Sequence, residues 1–129
     1  GTPGKTVVGG RTVSAVRFGN GAGISVFPGS ALGVHGGAIQ AAMDEVTAIC
    51  FRCWVAPEST TRKITHLISK PVYQFHTYKA TCEVESIQHD GALGVVKAKL
   101  VDGLGEVVCL TTADMVDFLG MAYLQWKGE

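Results

Sequence analysis

The sequence predicts an α+β fold in which an antiparallel sheet buries its apolar face against one long helix. Three observations carry this expectation. After its opening Gly-Gly pair, the stretch from Gly36 to about Trp54 has no glycine or proline, room for about five helical turns. Downstream runs alternate, so that Cys82, Val84 and Ser86 fall on one strand face and Thr81, Glu83 and Glu85 on the other. "HDG" and "DGLG" separate those runs as hairpin turns do.

In chain order, "GTPGKT" resembles the end of a phosphate-binding loop but lacks that motif's earlier glycine and preceding strand. Residues 1–10 are therefore read as a flexible terminus or an added remnant, and residues 11–129 as a single domain. "RTVSAVRF" and "AGISVF" are β-rich, and the glycines and asparagine of "GNGAG" between them suit a hairpin. "PGSALGV" breaks the pattern before the helix. Beyond "APEST" come "TRKITHLISK", "QFHTYKATCEVESIQ", "ALGVVKAKLVD" and "GEVVCLTTADMVDF", making about six strands in all.

At 129 residues and 47% hydrophobic content, the chain can bury the core of one domain. Eleven basic residues balance eleven acidic ones, and no Lys/Arg cluster is interleaved with aromatics. Nucleic-acid and anionic-membrane binding are thereby disfavoured, and no apolar run is long enough to span a bilayer. Cys50, Cys53, Cys82 and Cys109 fit reduced thiols, hence the cytoplasm or the mitochondrial matrix. "CFRC" has the C-x-x-C spacing but no second pair to complete a zinc site, and His66, His76 and His89 share no metal-ligand spacing. No cofactor or metal is expected.

Ile39, Ala42, Met43, Val46, Ile49, Cys50 and Cys53 form a broad apolar surface on the helix, which suits a central position. Against it, Gln40, Asp44 and Thr47 stand at i, i+4 and i+7 and form one narrow polar stripe. A solvated helix face usually carries Lys and Glu at several positions, and this one does not; a buried or cleft-lining Asp44 fits better.

"HGGAIQAAMDE" resembles the H-G-G, followed nine residues after the His by Asp or Glu, of hotdog-fold acyl-CoA thioesterases. The similarity is to the phenylacetyl-CoA and human thioesterase-superfamily branch and runs from about Arg11 to Leu119. It implies a hotdog fold: a curved antiparallel β-sheet wrapped around one long central helix. It further implies Asp44 as the catalytic carboxylate, the Gly36 backbone N–H as oxyanion donor, and His35 as a positioning residue. Thr61, ten residues before Pro71, matches a Ser or Thr that holds the water, with Thr60 and Ser59 as neighbours. Gly37, Gln40, Thr47, Ser30 and Thr60 complete the expected substrate-contacting set. Ser30 replaces an Asn that several relatives carry in the lead-in. The implied partners are an acyl-CoA substrate and further copies of the chain, in a dimer with shared active sites or a dimer of dimers.

Thioester hydrolysis builds negative charge on the carbonyl oxygen, and an N–H at a helix start, backed by the macrodipole, is suited to meet it. A carboxylate can then deprotonate water or attack directly. The leaving thiol has a pKa of about 8.5, so a strong general acid is unnecessary. Ile, Met, Phe and Trp on the helix suggest an apolar or aromatic acyl group rather than a dicarboxylate. Two alternatives belong to other classes: a non-catalytic acyl-CoA-binding or dimeric scaffold protein, and a hotdog dehydratase. "VFPG" departs from the H-F-P-G of fatty-acid dehydratases at Val26, which counts against dehydration.

Overall fold

The computed structural model describes residues 8–19, 23–26, 32–117, 121–122, 125–126 and 128. In order, the elements are β1 (Arg11–Arg17), β2 (Gly23–Val26), β3 (Leu32–Val34), α1 (Gly36–Trp54), β4 (Thr60–Ile68), β5 (Thr77–Gln88), a 3-10 turn (His89–Gly91), β6 (Leu93–Val101) and β7 (Val107–Val116). Five strands form one antiparallel sheet in the order β1-β5-β6-β7-β4, and β2 pairs with β3 in a separate ribbon. The helix lies across the inner face and touches all five strands.

The predicted hairpin between the first two runs does not form. β1 pairs with β5, Arg11 opposite Glu83, because its alternating side chains fit the edge of that long strand. Pairing reaches back beyond β1: the Gly9 N–H donates to Val84 O and the Val84 N–H to Gly10 O. Gly10 is pressed under the Trp54 ring, where a Cβ would sit 2.6 Å from ring carbons, and Trp54 Nε1 donates to Arg11 O at 2.9 Å. The C-terminal end of the helix is thereby pinned to β1.

Both later hairpin turns form. His89 (φ 53), Asp90 (φ 56) and Gly91 (φ 94) carry the left-handed backbone of the first. In the second, Asp102 accepts the Leu104 and Glu106 N–H groups on its carboxylate.

Ile39, Met43, Val46 and Cys50 are buried as expected, while Ile49 and Cys53 are exposed and Thr47 and Phe51 take their place inside. Gln40, Asp44, Thr47 and Phe51 follow one line along the helix. That line is exposed at Gln40 and Asp44 but fully covered at Thr47 and Phe51. The cover over Phe51 is β5 and β6: a Cβ on Gly94 would lie 2.4 Å from the ring and 2.9 Å from Ser86 O. The polar stripe therefore contains two accessible residues, not three.

Candidate active site

The site is built from the helix start. His35 is the N-cap, with φ −60° and ψ 137°, and its Nδ1 accepts the Gly37 N–H at 2.7 Å. With Nδ1 accepting, the donor nitrogen of the ring is Nε2. A Cβ on Gly37 would fall 2.6 Å from the His35 ring, so His35 and Gly37 act as one capping unit. Gly36, the first helical residue, has open space where a Cβ would be. Its N–H has no acceptor among the described residues and is the free donor of the helix terminus. The short β3 strand holds this entry in place, for the Val34 N–H donates to Val72 O at 2.7 Å.

Two turns further on, Asp44 lines an open cleft of about 590 Å3 with Gly37, Gln40, Ala41, Ile64, Thr65 and His66. Its carboxylate is held rather than loose: Thr61 Oγ1 donates to Asp44 Oδ1 at 2.8 Å. A bulge in β4 makes this arrangement possible. Its extra residue shifts the register between Thr61 and Lys63, so Thr61, Ile64 and His66 stand opposite Met115, Ala113 and Thr111. Those three β7 residues are buried on the inner face, and their partners on β4 face the helix.

His66 Nδ1 lies 2.9 Å from Thr111 Oγ1, the cross-strand neighbour. Burial pushes the His66 pKa below the ordinary histidine value, and the facing Asp44 charge offsets only part of that effect. At neutral pH His66 is an uncharged imidazole beside a carboxylate. Reading the sequence alone misses His66, because strict alternation from Thr61 leads to Lys63 and Thr65; only the bulge turns it inward.

The structure thus groups Asp44, Thr61, Gln40 and Gly37, with Gly36 and His35 at the adjoining helix start. Thr47 leaves the group: it is fully buried and its hydroxyl donates to Met43 O at 2.8 Å and lies 3.0 Å from Asp44 O, which removes it from the substrate-contacting set. Thr60 is exposed, and as the strand neighbour of Thr61 it turns the other way, out of the cleft. Ser59 is buried. Ser30 and most of the 'VFPG' motif (residues 27–29) lie outside the described residues, as do residues 1–7. The large apolar helix residues do not wall the cleft, because Ile39, Met43 and Phe51 are in the core. Among the described residues no cluster of His, Cys, Asp and Glu could hold a metal ion, and no helix is long and apolar enough to cross a membrane.

No family model matches the chain, and no curated protein matches it. Solved structures do. An (R)-hydratase from A. caviae involved in PHA biosynthesis is 14% identical over 87% of this chain and 97% of its own, with a TM-score of 0.71. A hypothetical thioesterase from Streptococcus pneumoniae, solved with coenzyme A, is 15% identical over 86% of this chain and 80% of its own, TM-score 0.66. The E. coli PaaI protein of the phenylacetic acid degradation operon is 16% identical over 85% and 74%, TM-score 0.63. Thioesterase-superfamily proteins thus stand beside a hydratase among its structural neighbours. Identity this low carries architecture and not activity, and with one helix laid against a five-stranded antiparallel sheet the chain has the hotdog fold.

Proposed function

We propose that the protein is an acyl-CoA thioesterase, releasing a free acid and CoA. One observation carries the reading: Asp44 presents a carboxylate into an open cleft while Thr61 holds its other oxygen. Asp44 acts on water as general base, or on the thioester as nucleophile, and a helix-terminal Gly36 N–H receives the developing oxyanion. Asp44 follows Gly36 by eight residues, roughly 12 Å of helix, too far for both to serve one carbonyl within one chain. The oxyanion donor therefore comes from a second copy, in a dimer with shared active sites. β4, which carries Thr61 and His66, is an edge strand of the sheet and is open to such pairing.

CoA-bound thioesterase and acetyl-CoA-bound neighbours support an acyl-CoA ligand. The test is a panel of acyl-CoAs incubated with a thiol reagent, with an enoyl-CoA included to detect hydration. CoA release by the wild type and its loss in Asp44→Asn is the expected result. Release of no CoA from any acyl group would sink the reading in favour of a binding protein. Addition of water to the enoyl group without CoA release would favour a hydratase.

A further inference from the structure

Hydrolysis needs its water held in one orientation, and the residue expected to hold it has no proton left to donate to that water. Thr61 gives its hydroxyl proton to Asp44 Oδ1. Thr65, on the same cleft wall, gives its own to Thr112 O at 3.4 Å. Gln40 has a free amide, but it is exposed and no described residue anchors it. Asp44 Oδ2 has no partner among the described residues, and the remaining polar group of the wall is the His66 ring.

The anchor on His66 decides which face of the ring is turned to the cleft. Thr111 is 2% exposed, and its hydroxyl proton needs an acceptor. The two within reach are His66 Nδ1 at 2.9 Å and Cys109 Sγ at 3.7 Å. A thiol sulfur is a weak acceptor and an imidazole nitrogen a strong one, so Thr111 donates to Nδ1. The ring proton then resides on Nε2, at the opposite side of the ring, and His66 and Asp44 line the same cleft.

Resting on the thioesterase reading, we propose that His66 is a further catalytic residue, holding the attacking water between its Nε2–H and Asp44 Oδ2. The water accepts the Nε2–H with one lone pair and donates to Asp44, which leaves its second lone pair for the thioester carbon. As the O–C bond forms, the water proton passes to Asp44. The C–S bond then breaks, its electron pair leaves on sulfur, and the proton on Asp44 is lost to the thiolate or to solvent. His66 keeps its proton throughout. Its contribution is orientation, the entropic part of catalysis.

Three measurements on the wild type and two variants test this. Nitrogen-15 NMR of the wild type is expected to show the Nε2–H tautomer of His66. A high-resolution crystal structure is expected to show a water within hydrogen-bond distance of both His66 Nε2 and Asp44. His66→Leu is expected to lower kcat by about 10- to 100-fold with KM within about threefold, and His66→Gln, which restores an N–H donor, to recover part of the loss. An Nδ1–H tautomer, no water between the two side chains, or an unchanged kcat in folded His66→Leu each overturns the proposal. If His66→Leu does not fold, the tautomer and the water decide. If the wild type hydrolyses no acyl-CoA, the thioesterase reading falls and the catalytic role of His66 falls with it; hydrolysis by the wild type with an unchanged kcat in folded His66→Leu overturns the role of His66 alone.

Discussion

Thr61 lies 17 residues beyond Asp44 in the chain, on a different element, yet its hydroxyl donates to Asp44 Oδ1 at 2.8 Å. The bond aims the carboxylate: with one oxygen held by β4, the other is directed into the cleft.

Asp44→Asn is expected to lower kcat by at least about 100-fold, the lower range of acid–base contributions, with KM little changed. Its side chain is exposed, so the variant should unfold at the wild-type denaturant midpoint. Thr61→Val removes only the aim and should cost about tenfold in kcat. Turnover retained by Asp44→Asn would move the carboxylate role to its exposed neighbour Glu45, whose change to Gln is otherwise mild.

His66 sets a pH dependence of stability. Its folded-state pKa lies below the ordinary 6.5, so in that window the unfolded chain binds more protons. The stability it contributes is complete above about pH 6.5 and is lost as pH falls toward the folded pKa. Urea unfolding at about pH 7.5 and about pH 5.5 should therefore show a smaller loss on acidification for His66→Gln than for the wild type. Equal losses would show that His66 titrates as it does in the unfolded chain.

The helix limits were legible because helix breakers are absent between Ala38 and Trp54, and the later strands because their alternation and turn residues are local signals. Partner choice was not. "GNGAG" is a good hairpin sequence, but the edge of β5 competes for β1 from sixty or more residues away and leaves no mark on the intervening chain. Periodicity placed Gln40, Asp44 and Thr47 on one line; it carries no information about where a curved sheet begins to cover that line. In the same way Thr61 was reached only through the resemblance, which places a Ser or Thr at that distance before Pro71, whereas His66 depended on one extra residue in β4.

Gly94 should tolerate no side chain. An alanine Cβ there would meet Phe51 Cε1 at 2.4 Å, and Phe51 is fully buried and has nowhere to move. Gly94→Ala is expected to cost about 1–3 kcal/mol, the usual range for overpacking a core, and the companion change Phe51→Leu should recover part of it. Gly103→Ala, with nothing within 4 Å of its Cβ, is the control.

Thiol reactivity reports on the packing of the helix against the sheet. Burial pushes the Cys82 thiol up to about 11 and raises Cys50 and Cys109 as well, while Cys53 is exposed. The thiolate is the reactive form, so at neutral pH an aromatic disulfide reagent should titrate one thiol per native chain and all four after denaturation. Rapid reaction of a second native thiol would place Cys50, Cys82 or Cys109 nearer to solvent than this packing allows.

The sharing of active sites between subunits can be tested with two inactive proteins. Asp44→Asn lacks the carboxylate, and Gly36→Pro lacks the N–H proposed to receive the oxyanion. Proline suits that position: Gly36 is the first helical residue, a Cβ there meets nothing within 4 Å, and His35 already has the extended backbone that must precede proline. If each site takes Asp44 from one subunit and Gly36 from the other, a mixed dimer has one site with both defects and one with neither. Random exchange makes about half the dimers mixed, so roughly a quarter of wild-type activity should return on mixing. Circular dichroism establishes that both variants fold, and exchange of a labelled subunit establishes that dimers form and mix. With both satisfied and no activity regained, Asp44 and Gly36 do not act across an interface, and the oxyanion donor must be sought in the same chain as the carboxylate.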